Sequence, residues 1–570
     1  MKLFIFKISF LITLSLLSVC NRPPNSADLI IIAPSYTINI NQPWVEAIAI
    51  KNERIIFVGK SNEALKFSNA STEIINQPNG MVLPGLIDTH VHLLWGGVEM
   101  GECQLNGITT SDKILDELKN YHYKYPEKKW IRGNGWGLPI FSGGNPKKEL
   151  LDRIIPNKPV FLLSADGHSA WVNSKALQIA GINKHTIDPP NGRIERDSAN
   201  KEPSGVLRED AMGLVESLIP SYSQNEINKG LELSLIEAKK VGITSILDAG
   251  TESYRQNIFK KINYDGLDAY KEATKNKSIT LRVHATQYVY PKTWKKDLEF
   301  IKSRQFKNEM GIMQTVKIFI DGVIEGGTAA LLEPYVGTNN YGILNWNPDT
   351  LKEVVRLYEK EGFQLHFHAI GDKGIRVTLD ALEYSKNKNK SNNRRHMMSH
   401  IQLIHPDDIS RFKALNVIAV FQPLWAYPDQ YIKELTLPVL GPNRSKWNYP
   451  IRNVELTGAV ISAGSDWSVT SLNPFHAMEV AITRQEPGNP SGESLNKEQA
   501  ISLESILRAY TLGGAYSLFK ENELGSIEKG KLADLVILDR NLFTIPSYDI
   551  HNTKVLMTIF NGEIVYKNKL

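Results

Sequence analysis

The stretch "MVLPGLIDTHVHLLWGG", residues 81–97, ends an apolar run with two histidines one residue apart and an aspartate just before them. If Val82–Val91 is a strand, Asp88, His90 and His92 share one face, because side chains alternate across a pleated sheet. Neighbouring imidazoles can hold a divalent metal. With 13 histidines in 570 residues, chance alone gives about 0.3 His-x-His pairs per chain, so the pair matters only if other runs supply ligands. Candidates are present. Lys317 and Asp321 interrupt "TVKIFIDG", His366 and His368 alternate in "FQLHFHAIGD", and His400 lies in "HMMSHIQLIHP". Asp466 ends "AVISAGSDW", and His168 follows "LLSADG". A buried ionisable group is costly unless paired or metal-bound, so its repeated placement in apolar runs is informative.

These side chains need a frame that gathers strand ends. The middle of the chain alternates strand-like runs, such as "GITSILDAG" and "TVKIFIDG", with helical ones, such as "NEINKGLELSLIEAKKV" and "PDTLKEVVRLYEKEG". Such alternation over some 400 residues predicts a parallel α/β fold, an eight-stranded (β/α)8 barrel with insertions. The competing doubly wound sheet lacks a Gly-x-Gly-x-x-Gly after the first strand of this region. Barrel enzymes place their chemistry at the C-terminal ends of the strands, where these candidates lie. Both chain ends read differently, as short β-rich runs, for example "ADLIIIAP" near the start and "LADLVILDRN" near the end.

Composition narrows the classes. The chain is 42% hydrophobic and 22% charged, with 66 basic against 61 acidic residues and net charge +5. That is an ordinary globular balance, without the dense basic block that nucleic acid requires. The leading "MKLFIFKISFLITLSLLSVC" carries Lys2 and Lys7, then an uncharged run from Ile8 to Val19, then Cys20. The run is too short to cross a bilayer and reads as an export signal over residues 1–20, with an uncleaved membrane anchor as the competing reading. "LLSVC" resembles a bacterial lipobox and departs from it at Val19. It implies a lipid on Cys20 as the chain's one link to a membrane, facing the periplasm or cell exterior. Cys103 is the only other cysteine, which excludes a disulfide framework and a cysteine-based metal site.

Taken in order, the motifs resemble the metal-dependent amidohydrolase superfamily, and within it the branch that contains N-substituted formamide deformylase. The resemblance runs from Asp28 onward. "LPGLIDTHVH" matches the first-strand motif; "WIRGNGW", "DGHSAWVNSKAL" and "EPSGVLRE" match the branch's insertion. "VKIFIDG", "HFHAIGD", "SHIQL", "GSDW" and "GSIEKGKLADLVILD" complete the series. It implies a barrel over residues 83–521 with an insertion at about 100–240, and a β-sandwich assembled from 28–82 and 522–570. It also implies metal ligands at His90, His92, His368, His400 and Asp466. Lys317 stands where many members carry a carboxylated lysine bridging two metal ions.

The activity so implied is hydrolysis of a non-peptide carbon–nitrogen bond in a small amide by one or two divalent ions, zinc foremost, with Asp466 as the acid–base group. The same site could open an ester or lactone or deaminate a ring, and a non-catalytic exported binding protein is the reading from another class. Alternatives stay open at single residues. Lys317 could pair with Asp321, and His366 competes with His368, which the "HAIGD" match favours. Asp88 could orient a histidine. Trp136, Asp166, His168 and Asp321 are candidates to line the substrate pocket, or else to pack. His405 reads as a helix start and His284 as a strand residue. Ser399 stands where relatives often have Glu, and Gly327 where they often have Arg.

Overall fold

The computed structural model describes residues 26–251, 264–390 and 393–568. The expected export segment and Cys20 lie outside the described residues. The central sheet is β1 (Leu86–Val91), β2 (Ile243–Asp248), β3 (Arg282–Tyr288), β4 (Gly311–Phe319), β5 (Gln364–Ala369), β6 (Met397–His400), β7 (Ile418–Phe421) and β8 (Ile461–Ala463). Neighbours in sequence are neighbours in space, and every pairing is parallel. Parallel neighbours need crossovers, which the helices supply. Two of these, α1 (Gln224–Lys240) and α2 (Pro348–Lys360), fall where the apolar periodicity predicts them. Ser223 and Glu226 close a reciprocal capping box on α1. Asn347 caps α2, whose Leu351, Val354, Val355 and Tyr358 form one buried stripe.

The strand ladder stops between β8 and β1, and other contacts close that seam. Thr89 Oγ1 donates to Ala463 O at 3.0 Å and lies 2.9 Å from Ser462 Oγ. Just above, Asp466 N donates to His90 O, and His92 N to Trp467 O, both at 2.8 Å. Barrel closure and the seating of His90, His92 and Asp466 are therefore one construction.

The chain's two ends share a sheet. Met81–Pro84 pairs antiparallel with Leu535–Leu538 and runs directly into β1 through Gly85. A buried ion pair between Arg282 of β3 and Asp534 fastens this sheet to the barrel. Between β1 and α1 lies a separate six-stranded sheet. It includes Ile131–Trp136, Val160–Ser164, Ser169–Val172 and Pro203–Glu209, with its own apolar cores. The run "PVFLLSADG" supplies Val160–Ser164 of this sheet and no barrel strand.

Gly464 marks how tightly the seam is drawn: a Cβ there would lie 2.6–2.8 Å from His90 Cβ, N and O. The neighbours include backbone, which cannot swing aside. Gly464→Ala is expected to destabilise the protein by about 1–3 kcal/mol through overpacking. A lowered midpoint in thermal unfolding checks this, and an unchanged midpoint would show that the seam has slack.

Candidate metal centre

Five barrel strands deliver side chains to one point. His90 comes from β1 and His92 from the residue after it, Lys317 from β4, His368 from β5, His400 from the last position of β6, and Asp466 from just past β8. Asp466 Oδ1 lies 3.3 Å from both His90 Nε2 and His92 Nε2, and Oδ2 lies 3.9 Å from His400 Nδ1. The His368 and His400 ring centroids are 4.4 Å apart, and those of His90 and His400 4.7 Å. Asp466 (φ 55°), His400 (φ 72°) and Ile401 (φ 40°) all take left-handed backbone conformations. Non-glycine residues rarely do so, and such outliers gather where a site dictates the backbone.

Burial sets the protonation states. It holds the His90 imidazole at about 3, with the neighbouring Lys317 adding to the effect. It drives His368 and His400 well below the usual histidine value too. Neutral rings keep a lone pair for a cation. Lys317, 1% exposed, is brought down to about 7 by burial. Its Nζ lies 3.3 Å from His90 Nε2 and from Ser399 Oγ.

The donor set fits a divalent metal. Ligand atoms of His90, His400 and Asp466 lie within 4.8 Å of one another. Asp466 Oδ1 is buried yet makes no hydrogen bond, so a carboxylate oxygen ringed by imidazoles is left for a cation. Gln422 Oε1 sits 2.9 Å from His400 Nδ1, which as the donor leaves the lone pair on Nε2.

Some expectations need correction. Asp321 is no pocket residue: its carboxylate accepts the N–H groups of Ala330, Ile370 and Gly371 at 2.9–3.0 Å. Those bonds brace the loops after β4 and β5, and Lys317 does not pair with it. Trp136 is fully buried inside the insertion, where Nε1 donates to Leu162 O and the ring packs on Phe141 and Trp171. Asp88 orients backbone and not an imidazole, accepting from His90 N and Ser465 N across the seam. His366 lies beneath the site with Nε2 3.0 Å from His90 Nδ1. His405 needs no correction: as expected for a helix start, it caps the helix Pro406–Ala414.

Asp166 and His168 do reach the cavity above the centre, which has a volume of about 1090 Å³. Trp95, Tyr222, Trp425, Tyr427 and Trp467 line it, and among the described residues of its wall Lys317 is the one lysine. Gln422 and Glu209 were not singled out from the sequence. Gln422 follows the apolar run "VIAVF" as the other site residues follow theirs, and that signal was available. Glu209 bonds His168 Nδ1 at 3.0 Å. It holds that imidazole up at about 9 against the opposing pull of burial.

Comparison with known proteins agrees with this geometry. The chain is 32% identical over 536 residues to Protein LONG AFTER FAR-RED 3 of Arabidopsis thaliana, covering 93% of this chain and 90% of that one. It is 25% identical over 557 residues to N-substituted formamide deformylase of Arthrobacter pascens, covering 95% and 98%. An uncharacterized metal-dependent hydrolase from Pyrococcus horikoshii OT3 shares the fold, with TM-score 0.70 at 23% identity over 91% of this chain and 99% of that one. Residues 73–566 match the amidohydrolase family, so the chain belongs to that family and is a hydrolase acting on carbon–nitrogen bonds.

Proposed function

We propose that the protein hydrolyses the amide bond of a small N-acyl or N-formyl amine, with one or two divalent metal ions, zinc foremost. His90, His92, His368, His400 and Asp466 would hold them, with Lys317 as a carbamate bridge. The observation that carries this reading is the buried Asp466 Oδ1, without a hydrogen bond, among three imidazoles at the C-terminal face of the barrel. A metal bound there supplies an acidified water and a Lewis acid for the carbonyl. Asp466 takes the proton of the attacking water and returns it to the leaving nitrogen. The carbon–nitrogen bond then breaks to give a carboxylic acid and an amine, which settle as carboxylate and ammonium. The aromatic side chains that line the cavity suit an apolar or aromatic group on the substrate.

Lys317 supports the carbamate because adding carbon dioxide requires a neutral amine, and burial brings this one to about 7. We also infer export, with a lipid on Cys20, from Lys2, Lys7, the uncharged run and "LLSVC".

Protein purified without chelator should contain one to two equivalents of a divalent metal by elemental analysis, and a folded protein that takes none up would remove the reading. Asp466→Asn keeps the shape but loses proton acceptance. Turnover of N-formyl and N-acyl amines should fall ~10²–10⁴-fold while most of the metal stays. Lys317→Ala should lower both metal content and turnover, and short-chain carboxylic acids should restore part of each. Restoration of neither would leave Lys317 a plain buried amine. Mass spectrometry of membrane fractions should find a mature chain beginning at acylated Cys20; a soluble chain beginning beyond it would retain export and exclude the lipid.

A further inference from the structure

The insertion contributes a wired histidine to the cavity that the metal reading does not use. In "SADGHS" the Asp166 carboxylate accepts from Ser164 Oγ and from His168 N. Gly167 makes the turn at φ 76°. The result is to aim the His168 ring into the cavity, its centroid 5.4 Å from that of His368. His168 Nδ1 lies 3.1 and 3.0 Å from the two oxygens of Glu209. Glu209 is in turn fixed. It adopts φ 49°, rare for a non-glycine residue, and Oε1 accepts from Thr328 Oγ1 at 2.8 Å. Gly322 leaves it room, since a Cβ there would lie 2.5 Å from Oε1. The side chains of both members are nearly buried, 14% and 13% exposed. His168 Nε2 has no partner among the described residues.

A packing histidine needs none of this. A buried ion pair is a poor stabiliser compared with an apolar pair of the same volume. In the ion pair with Glu209 the imidazolium donates Nδ1–H to the carboxylate and presents its second N–H, on Nε2, to whatever occupies the cavity. We propose that His168, positioned by Glu209, donates a hydrogen bond from Nε2 to the acyl oxygen of the substrate. The bond strengthens as that oxygen gains negative charge during attack, which is the form of stabilisation that speeds acyl transfer. It transfers no proton. His168 is then a catalytic residue supplied by the insertion, and Glu209 a positioning residue. The turnover arm of the test rests on the amide-hydrolase reading, whereas the binding arm does not.

The probe for binding is benzoate, a carboxylate like the expected product, titrated calorimetrically into protein of measured metal content. Wild type should bind it, and His168→Asn should bind it about ten- to a hundredfold more weakly, as expected for losing a hydrogen bond to a charged group. Glu209→Gln should weaken binding in the same direction, with metal content and melting temperature unchanged in both variants. In turnover of N-formylbenzylamine, His168→Asn should lower kcat ~10²–10³-fold with little change in KM. His168→Gln, whose longer side chain carries its amide N–H out to the position of Nε2 where that of Asn falls short, should recover part of the loss. Equal benzoate affinity in wild type and His168→Asn overturns the proposal, as does a loss that follows metal content or melting temperature. Wild type that binds benzoate through His168 yet cleaves no N-acyl amine would sink the substrate reading alone.

Discussion

A carboxylate placed in a dry pocket must find positive charge or hydrogen-bond donors, and Asp466 finds too few donors in the protein. Its main-chain N–H is spent on His90 O. Its Oδ1 faces two imidazole nitrogens without bonding either. Around it stand rings that burial keeps neutral, so they offer lone pairs and not protons. An anion among neutral donors is a stable arrangement only with a cation in the middle. Much of the architecture reads as the means of holding that deficit in place.

The seam makes the deficit rigid. β8 is three residues long, and the chain past it is pinned to β1 by backbone bonds at His90 and His92. Asp88, buried beneath, draws Ser465 N to His90 N through one carboxylate. The left-handed conformations of His400 and Asp466 then aim two side chains that regular strands would point elsewhere. A looser barrel end would let the carboxylate rotate toward water. The cost of its burial would vanish, and so would the affinity for a cation.

Much of this was legible in the sequence because burial leaves a trace there. A charged or imidazole side chain ending an apolar run is expensive, so His90, His368, His400 and Asp466 announce themselves. The same trace misleads where the partner is backbone. Asp321 follows an apolar run as Asp466 does, and only folding reveals that three N–H groups from two loops saturate it. Trp136 was a candidate for the cavity wall as part of the insertion motif "WIRGNGW", where glycines flank it. Those glycines do reach the cavity, while the indole turns into the insertion's core. Period-two alternation places His366 and His368 on one face but cannot say which layer is the floor. Glu209 was hidden for another reason. Its partner lies 41 residues away, and no local pattern encodes such a pairing.

The two sheets therefore carry separate burdens. The barrel fixes the groups that hold a metal and move a proton, and their geometry depends on strand register and the seam. Much of the cavity wall comes from elsewhere, from the insertion and the segment after β7. Those two meet where Tyr431 OH accepts from Leu138 N at 3.0 Å. His168 stands on the insertion side of that division, yet its ring reaches His368 on the barrel side. A change in the loops around it can alter which substrate fits without disturbing any strand end, since the insertion has its own apolar cores. One reaction centre can then serve many carbon–nitrogen substrates, because the wall and the floor have their own apolar cores.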